Sequence, residues 1–219
     1  MSARIVECVP NFSEGRNQTV IDAISHAGRG IPGARVLGIE PDVDYNRTVL
    51  TIAGEPEAVS EAAFRVITAA LEHIDMRNHE GEHPRIGAVD VCPFIPLKNV
   101  TMEECVEMSK ELAKRVSREL YIPTFLYGAA AASPERNLLS DLRKGQYEGL
   151  KNRLENGGPH LPDFGPIEWT ETVSRFGAVV IGARGILVAY NVNVNEKDAK
   201  AAKIAGSLVR TTGRLLKRE

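Results

Sequence analysis

The sequence predicts an α/β (α+β) fold: a ferredoxin-like βαββαβ core, extended by further strands and helices into a mostly antiparallel mixed sheet with helices packed on it. Three observations carry this. The first ninety-odd residues alternate short β-branched runs with amphipathic stretches in the order β-α-β-β-α-β, the split-βαβ arrangement. Both crossovers are long enough to need a helix, and only the middle connection is short enough for a hairpin. A second set of helical and strand-like segments follows, which places a helix layer over one sheet.

Taken in order, Ile5–Pro10 is a short apolar strand that ends in the turn-rich stretch Asn11-Phe12-Ser13-Glu14-Gly15. Val20, Ile21, Ile24 and Ala27 fall at helical spacing, with Asn17 placed to cap them. Ile31-Pro32-Gly33 breaks that helix before a strand at Ala34–Glu40. A polar turn leads to a second strand, Arg47–Ala53. Pro56–Asp75 puts Val59, Ala62, Ala63, Val66, Ile67, Ala70, Leu71 and Ile74 on one stripe, and Ile86–Phe94 reads as a buried strand. Met102–Leu120 is an amphipathic helix capped by Thr101, followed by a strand at Pro123–Tyr127. Residues 133–163 suggest short helices joined by loops. Val179–Ile181 and Ile186–Val194 resemble a hairpin, and Lys197–Leu216 closes the chain as a basic-faced helix.

Composition narrows the function classes. The 219 residues are 43% hydrophobic and 26% charged, an ordinary globular balance with ample material for a core. A formal net charge of -2 leaves no basic footprint for nucleic acid. No stretch approaches the roughly 18–20 apolar residues of a membrane span, and the N-terminus has no apolar signal core. Cys8, Cys92 and Cys105 are too few and too scattered for a disulfide framework or a CxxC metal site. They read as buried reduced thiols, which suits the cytoplasm.

The stretch RNHEGEHPRIG at 77–87 contains a literal H-E-x-x-H, the zinc-protease signature. That motif requires a helix to bring both histidines to one face. Gly81 in its middle costs about 1 kcal/mol of helix propensity, and Pro84 disfavours the helical region for His83. No third ligand stands at a suitable spacing, so no metal is expected. What remains is a polar loop dense in ionisable groups, either a solvated charged loop or a site. Flanked by Glu82 and Pro84, His83 is held extended at a strand entrance. With carboxylates near and a pKa close to neutrality it fits a general base or acid.

Five segments together resemble the formiminotransferase family: VECVPNFSEGR at 6–16, NRTV at 46–49, HEGEHPRIGAVDVCPFIPL at 79–97, PDFGP at 162–166 and AYNVNV at 189–194. The resemblance runs in order through essentially the whole chain. It implies transfer of a formimino (or formyl) group between N-formimino-L-glutamate and N5 of tetrahydrofolate, the folate step of histidine breakdown, with tetrahydrofolate as co-substrate and no metal. The family's catalytic histidine, in its EHPR motif, falls on His83. Its folate-binding segment falls between Gly165-Pro166 and Gly177-Ala178, with IEWTETVSRF at 167–176 longer than the family form. Asn11, Asn46 and Arg47 match motif positions near strand ends. Arg47 offers either a bidentate partner for a glutamate carboxylate or a structural salt bridge. Asp44 offers either a partner for an amidinium-like transition state or, like Asp42, turn chemistry. Trp169 offers a stacking surface for a pterin or ordinary packing.

The resemblance also bears on domain organisation. Family transferases hold folate between two α/β subdomains, and residues 1–219 correspond to the first, with the C-terminal subdomain absent. The chain is therefore expected to be a fragment of a transferase, one half of a split enzyme that works with a separate C-terminal subdomain, or a shortened homologue. The alternative is a catalytically silent folate-binding or assembly module. A homodimer is the expected assembly.

Overall fold

A computed structural model describes residues 3–157, 161–187 and 199–209. They fall into two units, Met1–Ile186 and Leu187–Glu219. The larger unit begins with β1 (Ile5–Cys8) and β2 (Asn11–Phe12), one strand interrupted at Val9-Pro10. Then come α1 (Gln18–Ala27), β3 (Ala34–Asp42), β4 (Arg47–Gly54), α2 (Pro56–His73) and β5 (Val89–Lys98). Both helical crossovers, and the single hairpin between β3 and β4, lie where the hydrophobic periodicity places them. Asn17 caps α1 through its Oδ1, which accepts from the Thr19 and Val20 N–H groups at 3.1 and 3.4 Å.

In the sheet β5, β1, β4 and β3 are neighbours in that order, every pair antiparallel, which is the ferredoxin-like arrangement. The unit continues with α3 (Met102–Leu120), β6 (Thr124–Gly128), α4 (Leu139–Leu142), α5 (Gln146–Asn156), α6 (Glu171–Phe176) and β7 (Val179–Ala183). A full capping box opens α3: Glu104 N–H donates to Thr101 Oγ1, and the Thr101 N–H to Glu104 Oε2. Helices α1, α2 and α3 cover one face of the seven-stranded sheet and build the main core. A smaller core, with Val91, Phe125, Leu142, Leu150, Leu154, Val173 and Val180, fills the other face under α4, α5 and α6. The three cysteines are buried free thiols. Cys8 and Cys92 lie with their sulfurs 3.4 Å apart, and burial first, then the Cys92 thiol, raises the Cys8 pKa.

Two expectations are corrected. Val179–Ile181 does not form a hairpin with Ile186–Val194. β7 lies between β5 and β6, parallel to both, so the two edges that a hairpin partner would need are occupied. Residues 188–194 lie outside the described residues, as do 210–216 of the closing helix, which is described as α7 (Ala199–Val209). The strand expected at Ile86–Phe94 is displaced to Val89–Lys98. Pro96 reads as the end of a central strand. The strand continues through it because pairing with β7 has already stopped at Phe94↔Ala183, leaving only β1 alongside.

Residues 86–88 approach β5 as an extended lead-in stitched to the start of β7. Ala88 N–H donates to Phe176 O at 2.7 Å and Ala178 N–H to Ile86 O at 3.0 Å. The approach is so close that a Cβ on Gly87 would stand 2.1 Å from the Ala178 carbonyl oxygen. Gly87→Ala is therefore expected to destabilise the protein by about 1–3 kcal/mol through overpacking. By contrast, Gly149→Ala, within α5 and with nothing within 4 Å of the added carbon, should stabilise it by about 0.5–1 kcal/mol. Paired urea unfolding curves check the opposite signs.

Candidate active site

One edge of the sheet gathers the candidate residues. There β4, β5, β6 and β7 begin, and β1–β2 and β3 end. Arg47 is the first residue of β4, and His83 precedes β5 on the loop that follows α2. Gly177 and Ala178 enter β7 against Ile86–Ala88. Gly165 and Pro166 follow Phe164, which bridges to Thr124 at the start of β6.

The loop 76–88 is not helical beyond a short 3-10 turn at Met76–Asn78, in keeping with Gly81 and Pro84. It is pressed instead onto the turn between β3 and β4. A Cβ on Gly81 would stand 2.4 Å from the Tyr45 carbonyl oxygen. Asn46, in the left-handed region at φ 47°, ties three segments together. Its Oδ1 accepts from Gly15 N–H at 2.9 Å, its Nδ2 donates to Glu80 O at 2.8 Å, and its carbonyl accepts from His79 Nε2 at 3.0 Å. His79 Nδ1 accepts from Arg85 Nε at 3.1 Å, so both ring nitrogens are committed and the ring is a neutral Nε2–H tautomer. Burial, foremost, lowers its pKa. The two histidines of H-E-x-x-H thus have different fates, and His79 is a structural strut.

Arg85 is buried and makes a fork onto Glu148, with Nη1 at 2.9 Å from Oε2 and Nη2 at 2.7 Å from Oε1. Asp90, only 1% exposed on β5, accepts from Ile86 N–H at 3.1 Å and pairs with Arg143 through both carboxylate oxygens.

Against this frame His83 is half-buried, its ring centroid 5.8 Å from that of Tyr45. Arg47 Nη1 lies 2.9 Å from His83 Nε2. A guanidinium only donates, so Nε2 is the acceptor and the neutral ring carries its proton on Nδ1. Nδ1 is buried near the Pro84 carbonyl but without hydrogen-bond geometry. The expected near-neutral pKa is not found. Burial first, then Arg47 and Arg143, push it down to about 4, with Asp90 pulling weakly upward. Burial and the neighbouring arginines, not the carboxylates beside it in sequence, keep the ring neutral.

Arg47 makes no carboxylate salt bridge among the described residues, and its Nε is buried without a partner. Burial, then Arg143, lowers its pKa. Arg47 lies on the face of β4 that points away from α1–α3, with Val49 two residues on. Asn11 stands opposite Val49 and Val91 on that face, 8% exposed, its Nδ2 donating to Val9 O at 2.9 Å. Asp44 is exposed, and its carbonyl accepts the Glu82 N–H at 3.3 Å. The Asx turn expected here is made by Asp42, whose Oδ1 accepts Tyr45 N–H at 2.8 Å.

The glycines of the other segment are explained by the fold. Gly165 (φ 99°) and Gly177 (φ 81°) each place the Cβ position against a carbonyl oxygen, of Ile122 at 2.6 Å and Ile86 at 2.3 Å. In PDFGP, Asp163 pairs with Arg136 at 2.7 Å and accepts the Leu126 N–H. Trp169 packs on Tyr147 with centroids 5.8 Å apart, beside the smaller core.

Tyr45, Asp90 and Arg143 escaped the sequence reading. An aspartate inside the apolar run AVDVCPF was a usable signal, because a buried carboxylate needs a partner. Nothing local marks Arg143.

A ferredoxin-like α/β domain with a neutral histidine held by an arginine at one sheet edge is the class that fold and site define. Residues 5–184 match the family model described as the formiminotransferase domain, N-terminal subdomain. Among relatives, the chain is 48% identical over 211 residues to a formimidoyltransferase-cyclodeaminase of Dictyostelium discoideum, covering 96% of this chain and 38% of that one. It is 46% identical over 211 residues to a glutamate formimidoyltransferase of Streptococcus pyogenes serotype M1, covering 96% of this chain and 69% of that protein. To the formimidoyltransferase-cyclodeaminase of Rattus norvegicus it is 47% identical over 206 residues, 94% of this chain and 37% of that one. The chain belongs to the formiminotransferase family.

The His83 environment has a pH signature. With a folded pKa of about 4 against the ordinary 6.5, the unfolded chain binds this proton more readily between those values. The stability contribution of the neutral ring is complete above pH 6.5 and is lost as pH falls towards 4. The His83 ring signal is expected to titrate with a midpoint near 4 by NMR. Urea unfolding of His83→Gln should depend less on pH than wild type across that window.

Proposed function

We propose that the chain carries the catalytic half-site of a glutamate formimidoyltransferase. It would move a formimino group from N-formimino-L-glutamate to N5 of tetrahydrofolate, with formyl transfer as the related exchange. The observation that carries this reading is the His83–Arg47 pair. It joins a neutral imidazole with a defined acceptor nitrogen to a guanidinium lacking a carboxylate, in a chain whose relatives bear that name.

The chemistry follows from the groups present. His83 accepts through Nε2 the proton that N5 loses as it attacks the formimino carbon, and returns it to the departing glutamate nitrogen. A neutral ring suits a substrate whose formimino group is itself cationic, since a charged imidazolium would repel it. Arg47 is the group placed to bind a substrate carboxylate. Folate belongs, in this reading, along the edge bounded by Gly165-Pro166 and Gly177-Ala178. The positive-φ glycines there shape the backbone, and any folate contact falls to neighbouring groups. Asn11 and Asn46 hold the surrounding turns, and Asp44 lies exposed at the rim. A separate C-terminal subdomain would close the site over the sheet face that carries Arg47. A homodimer and a reducing cytoplasm go with the reading, the latter supported by three buried thiols. No helix among the described residues is long and apolar enough to cross a membrane.

The test is transfer from N-formimino-L-glutamate to tetrahydrofolate by the chain, alone and with a C-terminal subdomain from a relative. His83→Ala should abolish turnover, with a loss of at least about 10²-fold, while tetrahydrofolate binding measured by fluorescence is retained. Folate binding without turnover in both wild-type arrangements would instead mark a silent binding module.

A further inference from the structure

The contact between Arg47 and His83 blocks the step it is meant to serve. Nε2 has one lone pair in the ring plane, and Arg47 Nη1 donates to it at 2.9 Å. The other ring nitrogen is buried and bears the proton, so Nε2 is the only position that can receive another. While the guanidinium stays on it, His83 is not a base.

We propose that Arg47 is a carboxylate-operated latch: in the free protein it holds the His83 Nε2 lone pair, and the carboxylate of an amino-acid substrate draws it off and frees Nε2 for proton transfer. This rests on the reading of the site as a formimino-transfer centre and adds to it how the base is switched on.

Three observations support the latch. Arg47 is available to an anion: it has no carboxylate partner among the described residues, and its Nε is buried with no hydrogen bond. The competing anions are accounted for. Asp90 is committed to Arg143 and to the Ile86 N–H, and Asp42 accepts the Tyr45 N–H. The charges facing His83 also change in the right sense. They are Arg47 from β4, Arg143 from the segment after α4, and Asp90 from β5, with the Tyr45 ring alongside from the β3–β4 turn. Arg143 is already neutralised by Asp90. A carboxylate on Arg47 would therefore offset the guanidinium that donates to the ring and raise the ring's proton affinity towards the working range of a general base.

Substrate chemistry fits the position. In a formimino amino acid the α-carboxylate is two bonds from the nitrogen that must regain a proton. Holding that carboxylate on Arg47 places the departing nitrogen beside Nε2. The base would then be unmasked only when the leaving group is in place, which suppresses water attack by an otherwise exposed site.

The test follows the His83 ring and the Arg47 Nε signals by NMR in the full chain, titrated with L-glutamate and, separately, with its dimethyl ester. L-Glutamate is expected to shift Arg47 Nε and raise the His83 midpoint by about one to three pH units, while the diester does neither. In Arg47→Gln the midpoint should start raised and ignore L-glutamate. Arg47→Lys should restore the low starting value. Binding of L-glutamate at Arg47 with an unmoved His83 midpoint overturns the latch, as does the absence of any carboxylate response at Arg47. These readouts need no turnover. A chain that shows the latch but transfers nothing removes the functional reading alone, and one that transfers with His83 unmoved removes the latch alone.

Discussion

The buried guanidinium of Arg85 uses all five of its N–H donors inside the protein. Nε goes to His79 Nδ1, Nη2 to the His79 carbonyl, and the remaining bonds to Gln146 and Glu148 on α5. Through this one side chain the loop before β5 is fixed both to itself and to α5 on the far face of the sheet. His79 is thereby set in the tautomer that reaches Asn46, and Asn46 in turn holds the glutamate-rich loop and the Gly15 turn. Arg47 and His83, 36 residues apart in sequence, meet because the two segments that carry them are clamped at these neighbouring points. Glu148 is 63% exposed, so solvent screens that ion pair, and losing Arg85 would cost chiefly through the buried guanidinium's other bonds, to His79 and Gln146. Positioning and folding therefore depend on the same bonds.

Much of this architecture was legible in the residues. The βαββαβ order follows from periodicity, and the caps at Asn17 and Thr101 are where side-chain chemistry puts them. His83 was identified because proline and a strand entrance restrict it locally. What was not legible is long-range. The pKa of His83 is set first by burial and then by Arg47 and Arg143, which arrive from other elements, so adjacent glutamates were a misleading guide. The hairpin reading at 179–194 failed for a similar reason: local sequence does not reveal that both edges of β7 are already taken. Pro96 is tolerated within β5 because pairing with β7 ends two residues earlier, which nothing local in the sequence reveals.

The glycines refine how the family signature is understood. Gly81, Gly87, Gly165 and Gly177 each leave room for a carbonyl oxygen where a side chain would begin. The recognisable motifs are in large part records of backbone segments that must touch. Arg47 and His83, the pair on which the proposed function rests, sit among them as a minority.

The position of β7 has a consequence for how the protein is made. It is the last in sequence of the described strands, yet it belongs between β5 and β6. Until residue 183 has emerged from the ribosome, β5 presents a bare inner edge beside a slot about 10 Å wide, two strand spacings across. The ferredoxin-like half can close first from its own helices and strands. The lead-in from Ile86 to Ala88 is held on one side by Ser13, but gains its partners on the other only when Gly177 and Ala178 are inserted beside it. The main core, which includes Val179, Ile181 and Ala183, and the seam beside Ile86–Ala88 are thus completed only by the arrival of β7.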